Sequence, residues 1–359
     1  MRSPVSRPTG RINRSRTSRS TRSKSTPSAS TMASPSTQVG EMMKKLSLVL
    51  FAFLFSCGLL SCGTADDPIV YTDDAPITIA MERDTLKILQ ITDLHLTYGL
   101  DAQDRDTLAL IEDLVESDDF DLVVISGDMV LSNAGPRLFR TLVRTMEALE
   151  TPWTFIFGNH ETDHSTYQEY LASTVDLTWL RFKVGPELDE GGIGNFRINF
   201  TKDGNPFYTL YFFDSHAERA EYTEAEGEYD YIRTSQVDWY AGHVATDATD
   251  SVAYMHIPLR QFIDSDGYVG IFNEDKVYAQ GIDTGLFDAM ALAGRTKGVF
   301  VGHDHLNDFY VVREGIMLAY GRITGFNAYG NLERGGRVVA IDAAGAMTSY
   351  VLLQSEVDA

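Results

Sequence analysis

The residues best suited to chemistry fall in five short clusters: Asp93-Leu94-His95, Gly127-Asp128, Gly158-Asn159-His160-Glu161, His256, and Gly302-His303-Asp304-His305. Carboxylate, imidazole and amide donors without thiolate suit zinc, manganese, iron or similar ions and disfavour copper(I) or iron–sulfur chemistry. Taken singly, each cluster also fits a turn or a helix cap. Their conjunction at the ends of apolar runs points to one shared centre. In extended backbone Asp93 and His95, and likewise His303 and His305, would point to the same side, so each pair would grip a metal together.

The elements that must position these clusters are legible in the hydrophobic pattern. Leu86-Lys87-Ile88-Leu89-Gln90-Ile91 reads as a strand ending at Asp93, and Leu108, Ile111, Leu114 and Val115 mark the helix that follows. A second strand over 121–125 ends at Asp128, a helix after Pro136 carries Leu138, Leu142, Met146 and Leu149, and a third strand over 153–157 ends at Asn159. The clusters at Asp93, Asp128 and Asn159 lie 35 and 31 residues apart, which suits one βαβ unit each. Strand carboxyl ends in such a sheet face one crevice, so residues distant in sequence converge there. The second half carries aromatic and β-branched runs at 195–200, 207–213, 252–256, 299–301, 316–320 and 338–341, with helices expected over 235–243 and 284–293. This pattern predicts a mixed α/β chain (α/β shading into α+β) with two sheets stacked face to face and helices outside.

These clusters, in this order, resemble the calcineurin-like metallophosphoesterase superfamily. Ser235-Gln236-Val237-Asp238-Trp239, Met255-His256-Ile257-Pro258-Leu259, Gly302-His303-Asp304-His305-Leu306-Asn307-Asp308 and Tyr320-Gly321-Arg322-Ile323-Thr324-Gly325-Phe326 are similar to its purple-acid-phosphatase-related branch. The resemblance spans about residues 85–353. It implies two mixed β-sheets in a sandwich, one metal on Asp93, His95 and His305, a second on Asn159, His256 and His303, and Asp128 bridging both. It further implies water or hydroxide between the ions as nucleophile and His160 as proton donor to the leaving oxygen. Glu161, Asp304 and Asp308 are expected to orient ligands or bond neighbours rather than bind metal. The implied activity is hydrolysis of a phosphorylated small molecule or other phosphoester, foremost a monoester. A phosphodiesterase on the same site is the near alternative, and a non-catalytic surface binding lipoprotein is an alternative of another class. Purple acid phosphatases have an iron-ligating Tyr three residues beyond the bridging Asp. Here that residue is Leu131, which removes the basis for expecting purple colour or an obligatory ferric ion; the metal pair stays open among Mn, Zn and Fe.

Charge and composition bound the rest. The chain of 359 residues has 30 Lys+Arg against 51 Asp+Glu, and the first 45 residues hold ten of the basic groups and only one acid, Glu41. The body is therefore strongly acidic and repels nucleic acid and anionic membranes except through a local site, so no nucleic-acid partner is expected. Bound metal ions would invert that field where an anionic substrate must dock. Residues 1–41 are a basic, Ser-rich extension with too little apolar content to fold. Residues 42–61 read as a lipoprotein-type signal peptide: Lys44 and Lys45 precede an apolar run ending Leu59-Leu60-Ser61-Cys62, which resembles a lipobox. Acylation is expected at Cys62, with Cys57 the weaker site, giving an exported, lipid-anchored protein at the periplasmic or cell-surface membrane. Residues 62–84 are expected as an acidic tether and 85–353 as the folded domain. His164, His216 and His243 are read as surface or structural histidines, residues 217–231 as a solvated loop or lid, and Arg322 as either a phosphate contact or a structural ion pair.

Overall fold

The computed structural model describes residues 68–99 and 101–357. Among these, the strands are β1 (Ile77–Met81), β2 (Leu86–Ile91), β3 (Leu122–Ser126), β4 (Trp153–Ile156), β5 (Phe196–Lys202), β6 (Asn205–Phe212), β7 (Asp250–Tyr254), β8 (Thr296–Val301), β9 (Tyr310–Arg313), β10 (Ile316–Tyr320), β11 (Gly335–Ile341) and β12 (Met347–Leu353). The helices are α1 (Ala102–Glu116), α2 (Gly135–Ala148), α3 (Tyr167–Leu171), α4 (Thr234–Val244), α5 (Leu286–Ala293) and α6 (Gln354–Val357). One sheet runs β12-β11-β2-β3-β4 and the other β1-β5-β6-β7-β8-β10-β9. Strands β2, β3 and β4 are mutually parallel, as are β6, β7, β8 and β10.

The alternation of side chains along each strand divides the apolar residues between two faces. In β2, Leu86 and Ile88 join the layer shared with Phe196, Ile198, Leu210, Phe212 and Tyr254 of the other sheet, while Leu89 and Ile91 join α1 and α2. In β7, Val252 and Tyr254 face between the sheets, and Ala253 lies in the cluster that holds Trp239 and Tyr240 of α4 and Met290 of α5. Each such fully buried side chain contributes about 1.5–3 kcal/mol, which offsets the ordering of the chain. The first crossover helix begins where Asp101 accepts the Asp104 N–H at 2.8 Å, and the second carries Pro136 in its first turn, where no N–H is needed.

The predicted elements from Leu86 onward are present within a few residues, and the expected sandwich of two mixed sheets with helices outside is the observed architecture. The domain, however, begins well before residue 85. Ile69 and Tyr71 pack on the core, and Thr72 and Gly185 exchange hydrogen bonds of 2.9 and 3.0 Å. Asp74 accepts from Trp239 Nε1 at 2.9 Å and pairs with His243 Nε2 at 2.6 Å, and β1 pairs in parallel with β5. The acidic composition of this stretch concealed a five-residue edge strand in which only alternate residues turn inward. At the other end α6 carries the fold to Val357, which packs against the core. The extension, the signal segment and Cys62 lie outside the described residues, and no described helix is long and apolar enough to cross a membrane.

Candidate metal centre

The loops leaving β2, β3 and β4 and those leaving β7 and β8 meet at one end of the sandwich. The loop after β2 runs beside the loop after β3, with the Asp93 N–H donating to Gly127 O at 3.2 Å, His95 to Asp128 O at 3.0 Å and Leu96 to Met129 O at 3.1 Å. Asp93, His95, Asp128 and His303 all adopt left-handed backbone, with φ of 55, 45, 49 and 80°. Such torsions cost L-residues on the order of 1–2 kcal/mol each and cluster where the surrounding structure dictates where a side chain must point. The sheets are tied together beneath the site by Gln90, whose Nε2 donates to Ser126 Oγ at 2.8 Å and Val301 O at 3.0 Å.

Asp93, His95, Asp128 and His305 each offer one ligand atom within 4.8 Å of all the others, and Asp128, His256 and His303 form a second such group. Asp128 belongs to both. Its Oδ2 lies 3.4 Å from His95 Nε2 and 3.3 Å from His256 Nε2, and His256 Nε2 lies 3.2 Å from Asn159 Oδ1. The Asp93–His95 pair therefore does converge, but through two left-handed residues rather than through the pleat of a strand. His303 and His305 do not act as a pair, because the turn after Gly302 sends them to different groups. Glycines permit the crowding: a Cβ on Gly127, which has φ 100°, would sit 2.4 Å from His256 Nδ1, and one on Gly158 would sit 2.2 Å from Asp128 Oδ1.

The donor set fits cations. Two buried carboxylates among four buried imidazoles would be costly without compensating charge. His95 Nε2 and His305 Nε2 lie 3.2 Å apart, a spacing at which two rings share only one proton, and the Nδ1 atoms of both rings are buried without a hydrogen-bond partner. Burial raises Asp93 and Asp128, yet the adjacent histidines win and hold both carboxyls below the usual range. Burial lowers His256, but Asp128 and Asp93 drive it up to about 10, whereas burial and the neighbouring His256 push His303 down to about 3. Two ions in place of protons would remove that conflict. His256 is already set for the task, since its Nδ1 donates to Ser126 O at 2.8 Å and leaves Nε2 facing Asp128.

His160 stands at the rim, half-buried. Its backbone N–H donates to Asp128 Oδ1 at 3.1 Å, and its Nε2 is 4.0 Å from Asp128 Oδ2. Its Nδ1 lies 2.7 Å from Asp163 Oδ2. Burial lowers the imidazole pKa, but Asp128 and Asp163 outweigh it and the net shift is upward. Asp163 was not singled out from the sequence; its signal is the spacing of three from His160, which a turn closes. Buried Glu161 accepts from the N–H groups of Met129 and Gly158, both at 2.6 Å, and of Val130 at 3.1 Å, locking the loops after β3 and β4 to each other. Burial pushes Glu161 up to about 7, with Asp128 acting the same way.

Asp304 accepts from Tyr320 Oη at 2.6 Å and from the Tyr278 N–H at 3.2 Å, and Asp308 accepts from the Ile271 N–H at 2.6 Å and pairs with Arg322. Arg322 is buried, and its Nε donates to Glu333 O at 2.6 Å, so its role is structural rather than a phosphate contact. His216 reaches Gln236 and His243 reaches Asp74, as structural histidines, while His164 is exposed. The cleft over the metal donors, about 310 Å³, is lined further by Leu131, Glu218, Tyr229, Asn327 and Tyr329.

Residues 86–307 match the family model for calcineurin-like phosphoesterase. A relative from Arabidopsis thaliana, probable inactive purple acid phosphatase 14, is 27% identical over 315 residues, covering 74% of this chain and 76% of that one. Probable inactive purple acid phosphatase 29 of the same plant is 28% identical over 299 residues, covering 71% of this chain and 76% of its own. A dimetal phosphatase from Danio rerio shares the fold at 11% identity, with a TM-score of 0.53 over 75% of this chain and 96% of that one. With its two donor groups joined at Asp128 and a family match that runs from β2 through the last histidine pair, the chain belongs to the calcineurin-like phosphoesterase family.

Proposed function

We propose that this chain is a metal-dependent phosphoester hydrolase acting foremost on monoesters, with one ion held by Asp93, His95 and His305, a second by Asn159, His256 and His303, and Asp128 shared. The observation that carries the reading is the Asp128 carboxylate, which stands in both donor groups at once. Bound there, two ions would neutralise phosphoryl oxygens and lower the pKa of water for in-line attack. Asp163 accepts from His160 Nδ1 and, with Asp128, favours the doubly protonated ring, so that Nε2 faces the cleft and holds a proton for the departing ester oxygen. Glu161 holds the loops that carry Asp128 and Asn159 in register, so the donors need no rearrangement as charge develops.

The word inactive in the plant relatives' names is said of those proteins. Here all seven proposed ligands and His160 are present and converge. The export and lipid anchoring at Cys62 are part of the same proposal and rest on the sequence of residues 42–63 alone. The test is hydrolysis of 4-nitrophenyl phosphate and of its bis-ester by the purified chain, before and after chelation, with Mn, Zn or Fe restored. Metal-dependent turnover of the monoester supports the reading. Turnover of the bis-ester alone would make the chain a phosphodiesterase, and silence on both with metal bound would favour a binding protein.

A further inference from the structure

Two tyrosines that are not among the proposed metal ligands form walls of the cleft above the metal donors. The ring of Tyr229 packs edge-on against His303 with centroids 4.2 Å apart, and the ring of Tyr329 lies over His305 at 4.1 Å. Both phenols thus sit beside proposed ligands in the lining of the cleft that would receive a bound ester. Tyr229 is held there by residues 217–231, which pair with themselves rather than forming a free lid. The Arg219 N–H donates to Glu228 O at 2.7 Å, the Asp230 N–H to Ala217 O at 2.9 Å, and Glu218 bridges Tyr229. Tyr329 is anchored through its hydroxyl, which donates to Glu274 at 2.6 Å.

The charges along the same path are lopsided. Among the described residues no Lys or Arg lines the cleft, whereas Glu218 does. A second cavity of about 370 Å³ shares Tyr229 with it, and is lined by Glu224, Glu226 and Glu228. Of the two cations there, Arg260 is committed to the carbonyls of Glu226, Gln280 and Gly281, and Lys276 lies over the Tyr278 ring at 4.6 Å. Metal ions and His160 would serve the phosphoryl group being cut, and among the described residues no Lys or Arg in the cleft is left to neutralise another. Ring faces and edges, in contrast, are on offer.

We infer that this cleft selects phosphoesters whose leaving group is a flat ring bearing no second anionic group, and that Tyr229 and Tyr329 are the specificity residues that read the ring. The inference rests on the hydrolase reading for its chemistry but is tested by binding. Calorimetric titration of the metal-loaded chain compares phenylphosphonate, methylphosphonate and 4-sulfophenylphosphonate, none of which is hydrolysed. Phenylphosphonate binds about tenfold more tightly than methylphosphonate, the advantage of one well-packed ring. The sulfonate erodes that advantage. Tyr229→Leu brings the phenyl-to-methyl ratio toward one and Tyr229→Phe retains it; if Tyr229→Leu does not fold, Tyr329→Leu on its exposed turn gives the same test. Equal affinities for the phenyl and methyl ligands, tighter binding of the sulfonated ring, or no binding of any phosphonate would overturn the inference. Turnover of 4-nitrophenyl phosphate, measured in parallel, reports on the hydrolase reading separately. Ring-selective binding without turnover would sink that reading and leave the cleft assignment standing.

Discussion

Gly127→Ala exposes the cost of the crowding at the site. Gly127 has φ 100°, and an added Cβ would sit 2.4 Å from His256 Nδ1, 2.6 Å from its Cγ and 2.9 Å from Gly158 Cα. Neither neighbour can yield cheaply: His256 is fixed by its 2.8 Å hydrogen bond to Ser126 O, and Gly158 presents backbone, not a flexible side-chain tip. The torsion costs about 1–2 kcal/mol and the overpacking about 1–3 kcal/mol more, roughly 2–5 kcal/mol together. Gly345→Ala is the internal control, since Gly345 also has positive φ, 82°, but a Cβ there meets nothing within 4 Å. It should lose the torsional part alone. Thermal unfolding of both variants, at about 2–4 °C per kcal/mol for a large domain, should show Gly127→Ala falling further than Gly345→Ala by several degrees. Gly127→Ala should also bind less metal, because the displaced ring is a proposed ligand. Equal melting temperatures for the two variants, with full metal content in Gly127→Ala, would refute this account of the packing around His256.

Three further variants probe separate links. Asp128→Asn should lose metal and reduce turnover by orders of magnitude, read by elemental analysis alongside kcat, whereas His160→Ala should retain metal and lose about 10²–10⁴-fold in rate. Asp163→Asn removes a group that raises the His160 pKa, so the basic limb of the pH–rate profile should move to lower pH, with metal content unchanged; an unmoved limb would detach Asp163 from His160. Arg322→Leu should cost about 3–5 kcal/mol in denaturant unfolding by stranding buried Asp308, while KM for a small phosphoester stays near its original value; a large rise in KM would return Arg322 to the substrate site.

The central strands and the donor residues were legible because both rest on local signals. Apolar runs such as 86–91 and 121–125 end in polar clusters, and a parallel sheet forces those ends together. What stayed hidden depends on contacts distant in sequence. β1 is short, half-exposed and embedded among acids, so charge masked its pairing with β5. The left-handed backbone of Asp93, His95, Asp128 and His303 is imposed by neighbouring loops, and no residue type among them announces it. The split of His303 from His305 between two donor groups agrees with what the family resemblance implied; the turn after Gly302 that produces it is not encoded in strand periodicity. Tyr229 and Tyr329, a hundred residues apart, meet at the cleft only through tertiary structure. Asp163 was within reach, as the carboxylate three residues after His160 in a turn-forming stretch.

The most direct test of a shared two-metal centre is a metal titration of the demetallated chain, with bound ions counted and turnover of 4-nitrophenyl phosphate followed at each step. Two ions per chain should bind, with activity rising as the second is taken up, and Asp128→Asn should abolish that second rise. A chain that binds two ions and hydrolyses no phosphoester, or one fully active with a single ion and indifferent to Asp128→Asn, would contradict the proposed centre.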